Sequence, residues 1–336
     1  MATRIRLGFL GAGNWGRQKH LPAIDYIREQ YADELDIQIA ALCEQDAVIA
    51  EGVCRQYAIE KHYVDLNMFA DDPDLDAFVV VVNPRGLTTV IERLVPRRLP
   101  IFSEKPPGWS QAEAQHLAEI VPSPNLVAYN RRFFPITERA RAAIAKLQAP
   151  YYVSCNIRRH ARPDSQEYAQ GLPAAVPFVM GTAIHELNLL EYLFGPIADC
   201  EPTPIASFAP VDHWHADLAF AGGMMGRMNI LPCCGSATEW IEVHSPERSL
   251  YIRLGVYSPI DLPGSIEVHE GGQLVEVICG DETLPQLVQE GFCGEYLEFF
   301  RAIRDGRSTR STFESAVNTM RICEIIEPLT PQEVSS

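Results

Sequence analysis

Over the first 130 residues, short β-branched and aliphatic runs alternate with longer amphipathic stretches, the pattern of parallel strands joined by helices. The spacing predicts strands at 5–10, 36–43, 77–82, 100–103 and 125–128, with helices near 16–31, 46–57, 86–97 and 110–120. The run 78–82 is apolar without a break, as a strand buried on both faces requires. Asp46 stands where it can cap the second helix, and Ser110 with Glu113 spells a capping box for the last.

Past a linking helix at 136–147 the period changes. Strands are predicted at 150–158, 215–220, 224–231, 238–243, 249–254, 265–269 and 273–279, several parted by turn clusters such as Gly222-Gly223 and Gly271-Gly272. These read as hairpins of a mostly antiparallel sheet. One strongly apolar helix, 182–194, is stopped by Gly195-Pro196, and two amphipathic helices close the chain near 287–304 and 312–327. The tail from Pro328 reads as frayed. The fold class expected is therefore α/β: a doubly wound parallel sheet followed by an α+β domain with a large, open, mostly antiparallel sheet.

Length and composition narrow the function classes. A chain of 336 residues has room for two domains, and 47% hydrophobic against 21% charged residues excludes a mainly disordered polymer. Lys plus Arg at 28 against Asp plus Glu at 44 leaves a net charge of −16, which repels nucleic acid and anionic membranes. The sequence shows neither an export signal nor an uncharged apolar run of 18 residues. Nine scattered cysteines, including the vicinal Cys233-Cys234 and no CxxC spacing, fit reduced thiols in a cytoplasm. A small-molecule substrate is the expected partner.

The first chemical motif is Gly11-Ala12-Gly13-Asn14-Trp15-Gly16, which follows the first strand directly and opens a helix. Gly11 permits the tight turn, Gly13 lets backbone approach a pyrophosphate, and Gly16 lets helix and strand pack closely. This is the context of a dinucleotide-binding Rossmann fingerprint. The second strand ends in Glu44, the acid expected to take the adenosine ribose hydroxyls, and no Lys or Arg stands at 43–49 to pair a 2′-phosphate. NAD is favoured over NADP. The alternative for Glu44 is a solvated acid at a strand end.

Phe102-Ser103-Glu104-Lys105-Pro106-Pro107 comes about 90 residues after the glycine loop, again at a strand end. Together with His20-Leu21-Pro22, Asn83-Pro84, Asn130-Arg131-Arg132-Phe133 and the closing segment from Glu295 to Gly306, it resembles the Gfo/Idh/MocA family of oxidoreductases. The resemblance spans nearly the whole chain. It implies a Rossmann domain over 1–129 and a substrate-binding and oligomerisation domain over 130–336, with the closing helices able to pack back on the first domain. It also implies NAD(P)-dependent oxidation or reduction of a sugar or cyclitol, in homodimers or homotetramers.

The resemblance assigns Lys105 as the catalytic group, and its residue type agrees: an ammonium at a parallel strand's C-terminal end can hydrogen-bond a reacting oxygen. Asn83, Pro84 and Glu104 join Gly11, Gly13, Asn14, Trp15, Gly16, Glu44 and Lys105 as cofactor residues. His185 matches the family's catalytic histidine, although Gly181 and Asn188 stand where many members carry aspartates. A hydrogen-bonded core histidine is the other reading of His185. Two further departures, Arg85-Gly86-Leu87-Thr88 after Asn-Pro and Leu147-Gln148-Ala149-Pro150 after the linking helix, bear on substrate rather than cofactor.

Arg132, Arg162, Tyr168, His185 and Asn188, with Lys105, are the candidate substrate residues. Arg162 and Tyr168 fall in or near the cationic loop 158–164, which could hold a carboxylate or phosphate, or be a solvated loop paired with Asp164 and Glu167. His213-Trp214-His215 has two ligand types at i and i+2 but no third, so no metal is expected. The leading function is a hydride-transferring oxidoreductase. The alternative is a non-catalytic dinucleotide sensor of the same fold.

Overall fold

The computed structural model describes residues 2–160, 176–208, 211–256 and 261–329. By their contacts the residues form two units, Met1–Asn130 with Phe292–Val317, and Arg131–Gly291 with Asn318–Ser336.

In the first unit, β1 (Thr3–Leu10), β2 (Leu35–Cys43), β3 (Lys61–Tyr63), β4 (Ala77–Val80), β5 (Ile101–Ser103) and β6 (Asn125–Val127) form a parallel sheet in the order β3-β2-β1-β4-β5-β6. Leu7, Phe9, Val79, Val80, Ile101, Phe102 and Leu126 are fully buried, so the unbroken apolar runs do mark strands covered on both faces. The chain reverses direction across the sheet between β1 and β4, which sets a ligand crevice at their C-terminal ends. The edge strand β3 lacks an apolar signature, being Lys-His-Tyr, and the sequence pattern does not reveal it.

The first helix starts as a wide π turn, Gly16–His20, before the α-helix Leu21–Gln30. The widening precedes Pro22, whose missing N–H an α ladder would need. Asp46 caps its helix through Val48 and Ile49 as expected. The Ser110 box forms only by half: Ser110 Oγ accepts from Glu113 N–H at 3.2 Å, but the Glu113 carboxylate takes the N–H of Trp109 at 2.9 Å. The helix Phe292–Asp305 belongs to this unit and buries Tyr296, Phe299 and Phe300.

The second unit holds an eight-stranded sheet built from β7 (Tyr152–His160), β8 (Ile197–Phe208), β9 (Val211–Phe220), β10 (Met225–Leu231), β11 (Cys233–His244), β12 (Arg248–Arg253), β13 (Ser265–Glu270) and β14 (Gln273–Cys279). Its order is β14-β13-β12-β11-β7-β10-β9-β8, and only β7 and β10 pair in parallel. Period-two alternation buries Val153, Cys155, Ile157, Ile241 and Val243 on one face. The helix Ile184–Phe194 meets that sheet through Phe194 and Phe220, 6.0 Å apart and edge-on. β8 is absent from the sequence reading because it carries Pro202 and Pro204. It pairs only with β9, and an edge strand tolerates missing donors. Among the described residues no helix is long and apolar enough to cross a membrane.

Candidate active site

The glycine loop sits where β1 meets its helix. Gly11 has φ +95°, and a Cβ there would lie 2.0 Å from the carbonyl oxygen of Val81, so no other residue fits. A Cβ on Gly16 would lie 2.6 Å from the Gly11 carbonyl oxygen, whereas nothing lies within 4 Å of one at Gly13, the position where a phosphate needs room. The loop opens on a cavity of about 400 Å³ lined by Leu10, Gly11, Gly13, Glu44, Val82 and Asn83, among others. Glu44 Oε2 accepts from Ala12 N–H at 2.8 Å and Oε1 from Asp46 N–H at 3.2 Å, which holds the carboxylate beside the loop. Asn83 caps the helix Pro84–Leu94 by accepting from Arg85 N–H. Asn14 accepts from Arg17, and Trp15 is 47% exposed. An open phosphate position, a carboxylate at the end of β2 and an apolar cleft between them fit a dinucleotide.

One strand further along, the chain passes from β5 into Glu104 and Lys105. Glu104 is buried, and its Oε1 lies 2.7 Å from His20 Nε2 and accepts from Trp15 Nε1 at 3.1 Å; its Oε2 accepts the backbone N–H of Lys105 at 3.0 Å. Burial would raise the Glu104 pKa, but the hydrogen bond from His20 and the charges of His20 and Lys105 outweigh it and hold the carboxyl below its ordinary range. His20 Nδ1 lies 2.8 Å from the Tyr296 hydroxyl. Burial, with Glu295 and Glu104 adding to it, pushes that phenol well above its usual pKa, so the hydroxyl keeps its proton. Lys105 itself is half-buried, and its peptide to Pro106 is cis.

His20 and Tyr296 carry no role in the sequence reading. The available signal was spacing: His20, Ile24 and Ile27 share one buried helical face, and an imidazole there must find polar partners.

In the second unit, His185 lies in the first turn of Ile184–Phe194 and is buried, 8% exposed. Asn188, one turn on, is fully buried; its Oδ1 accepts from Arg132 Nε at 2.5 Å and its Nδ2 donates to Thr319 at 3.0 Å. Arg132 also lies over the Tyr192 ring. Thus Arg132 and Asn188 come together, and Asn188 turns to Thr319. Arg162 and Tyr168 lie outside the described residues. Arg158 and Arg159 belong to β7 rather than to a loop, and Arg159 donates to Glu239, 2.7 Å away; Asp164 and Glu167 lie outside the described residues. His213 and His215 are engaged too, with the N–H of Cys233 and with Asn229. Among the described residues no three His, Cys, Asp or Glu side chains cluster to hold a metal.

A buried charge cluster unforeseen from sequence surrounds Arg131. Its Nε and Nη2 donate to Glu239 at 3.2 and 2.8 Å, and Glu186 Oε1 lies 3.5 Å from Nε. Both glutamates are wholly buried. Burial, then the charge of Glu239, pushes Glu186 well above the carboxylate range and makes it a neutral acid. Against the same burial, Arg131 and Arg159 keep Glu239 ionised.

Fold and crevice together define a two-domain, dinucleotide-binding oxidoreductase class. Residues 5–130 match the family model described as oxidoreductase family, NAD-binding Rossmann fold, and residues 141–327 match that of its C-terminal alpha/beta domain. The chain belongs to the Gfo/Idh/MocA oxidoreductase family, as its motifs implied. It is 28% identical over 206 residues to the rhizopine catabolism protein MocA of Rhizobium meliloti; the match spans 60% of this chain and 59% of that relative. Levoglucosan dehydrogenase in complex with NADH and levoglucosan shares the fold with a TM-score of 0.82 at 16% identity, covering 98% of each chain. An oxidoreductase from Agrobacterium radiobacter in complex with NAD+, L-tartaric acid and magnesium does so with 0.81 at 16% identity, covering 96% of this chain and 95% of that one.

Proposed function

We propose that the protein is an NAD-dependent oxidoreductase acting on a carbon that bears a hydroxyl, keto or imine group in a small polar substrate, a sugar or cyclitol derivative. The observation that carries this reading is Lys105, half-buried at the end of β5 with its backbone tied to an ionised Glu104. The cofactor, when bound, supplies or accepts hydride at nicotinamide C4. The Lys105 ammonium donates a hydrogen bond or proton to the oxygen on the reacting carbon, and His185 positions that oxygen or relays its proton. Glu44 accepts from ribose hydroxyls and repels a 2′-phosphate, which favours NAD. Gly11, Gly13, Asn14, Trp15, Gly16, Asn83, Pro84 and Glu104 complete the cofactor side, while Arg132, Arg162 and Tyr168 serve the substrate; Asn188, wholly buried and spent on Arg132 and Thr319, positions Arg132 instead.

The test is a single-turnover experiment in which NADH and the protein meet a panel of keto-sugars and keto-cyclitols. Loss of nicotinamide absorbance with one of them supports the proposal; no loss with any, despite tight NADH binding, favours the sensor reading. One observation favours that second reading: the Asn188 amide is spent on Arg132 and Thr319, leaving its helix without a carboxylate at that position.

A further inference from the structure

We propose that Trp15 is a positioning residue for Lys105: its indole N–H fastens the glycine loop to Glu104, and Glu104 in turn fixes the backbone of Lys105. The inference rests on the oxidoreductase reading above and adds to it a link between the seat of the cofactor and the reacting ammonium.

Three nitrogens converge on the Glu104 carboxylate. His20 Nε2 lies 2.7 Å and Trp15 Nε1 3.1 Å from Oε1, while the backbone N–H of Lys105 reaches Oε2 at 3.0 Å. An indole N–H and a peptide N–H can only donate, so both oxygens must accept. A carboxylate meets that demand. An amide does not, because Gln has one acceptor oxygen and would turn its NH2 group toward a donor. Glu104 is 8% exposed, a place where an unmet donor is costly. With both oxygens on Trp15, His20 and Lys105, Glu104 acts on the cofactor side through Trp15.

The wide turn that opens the first helix makes this convergence possible. Trp15 and His20 are five residues apart, and in an α-helix, at about 100° per residue, their side chains would point about 140° from each other. The turn Gly16–His20 instead closes from i to i+5, with Leu21 N–H on the Gly16 carbonyl, and residues five apart come onto one side. The Trp15 ring is braced there edge-on against Phe292, with centroids 5.7 Å apart. Its backbone belongs to the loop whose Gly13 leaves room for a phosphate. At the other end of the link the chain has few donors of its own: Glu104 N–H goes to the Val80 carbonyl at 2.9 Å, and Pro106 and Pro107 have no N–H. The Lys105 N–H is therefore the one backbone donor of residues 105–107, and it is spent on Glu104. A reacting group displaced by about 1 Å loses up to about 10²-fold in rate, so this tie bears on turnover.

The experiment follows hydrogen exchange at the Lys105 amide, with NAD+ affinity and melting temperature, for wild type, Trp15→Phe, Glu104→Gln and the double variant; kcat and KM are added with a confirmed substrate. Phe keeps a ring against Phe292 and removes only the N–H. Trp15→Phe should speed exchange at Lys105 about tenfold and lower kcat about tenfold, with KM and NAD+ affinity within about threefold and a normal melting temperature. Because Trp15 acts through Glu104, adding Trp15→Phe to Glu104→Gln should change neither exchange nor kcat further. Unchanged exchange or unchanged kcat in Trp15→Phe overturns the inference, as do effects of the two substitutions that simply multiply. Faster exchange spread evenly over β1, β4 and β5 overturns it too, since the role would then be structural. So does weakened NAD+ binding with normal exchange, because Trp15 would then serve the cofactor directly. Exchange needs no turnover: the expected exchange pattern without turnover on any substrate leaves the tie standing and counts against the catalytic reading alone.

Discussion

His20 Nε2 and Glu104 Oε1 lie 2.7 Å apart although 84 residues separate them in the chain. That contact ties the first helix to the loop bearing Lys105, and through Nδ1 to Tyr296, 276 residues from His20. Removing one partner of a buried hydrogen bond leaves the other unsatisfied, at a cost of about 1–3 kcal/mol. His20→Ala should therefore lower the unfolding free energy by about 2 kcal/mol in urea titrations. If Lys105 depends on this anchor, the same change should lower kcat more than it raises KM. A variant as stable as wild type would show that the contact contributes little.

Cofactor choice tests Glu44. NAD(H) should bind at least tenfold tighter than NADP(H), a difference of about 1.4 kcal/mol, because the Glu44 carboxylate is fixed beside the glycine loop by Ala12 and Asp46 N–H groups. Calorimetric titration with both cofactors checks it. Equal or reversed affinities would remove Glu44 from the ribose site.

Lys105→Met should abolish turnover while cofactor affinity stays within a few-fold. His185→Ala should lower turnover less, by roughly 10²-fold, the low end of general acid–base effects. The asymmetry rests on Gly181 and Asn188, since Asn188 is committed to Arg132 and Thr319. Kinetics of both variants on one confirmed substrate decide it. A His185→Ala loss as deep as that of Lys105→Met would mean that another acid supports the imidazole.

Glu186 makes stability depend on pH in a defined direction. Its folded-state pKa is raised, first by burial and then by Glu239, while in the unfolded chain the carboxyl ionises near 4.3. The stability it contributes is complete below that unfolded value and is lost as pH rises toward the folded one. Glu186→Gln keeps a neutral side chain that cannot ionise on unfolding. Its stability relative to wild type should rise with pH above about 4.3, by up to about 1.4 kcal/mol per pH unit, until the raised folded-state value is reached. Parallel stability curves for the two proteins above about pH 4.3 would show that Glu186 is ionised in the fold.

The outer strand β14 leaves Leu274, Val275 and Val277 each about half exposed, at 53, 54 and 51%. An open sheet with exposed apolar side chains at its edge is expected to be covered by a second copy. Light scattering at micromolar protein should give at least twice the 37.5 kDa of one chain, and Val275→Asp with Val277→Asp should lower the mass. A monomer in wild type contradicts the expectation.

What the sequence determined by itself was local or periodic. The glycine loop is legible because a turn with φ +95° at Gly11 admits one residue type, and the strands of both sheets are legible where burial writes an apolar run or a period of two. Glu44, Asn83 and Lys105 follow the C-terminal ends of β2, β4 and β5, places legible because an apolar run marks each strand before them. Tertiary structure decided the rest. β8 escaped because prolines are tolerated only by virtue of its place at the edge. Glu113 looked like a capping acid until Trp109 and Thr88 claimed its carboxylate. Glu186 and Glu239, both wholly buried, end up in opposite protonation states because two arginines from distant segments reach Glu239, Arg131 from 108 residues away and Arg159 from 80. A side chain's charge and direction depend on which distant partners share its low-dielectric surroundings, and that information is absent from the order of neighbours along a chain.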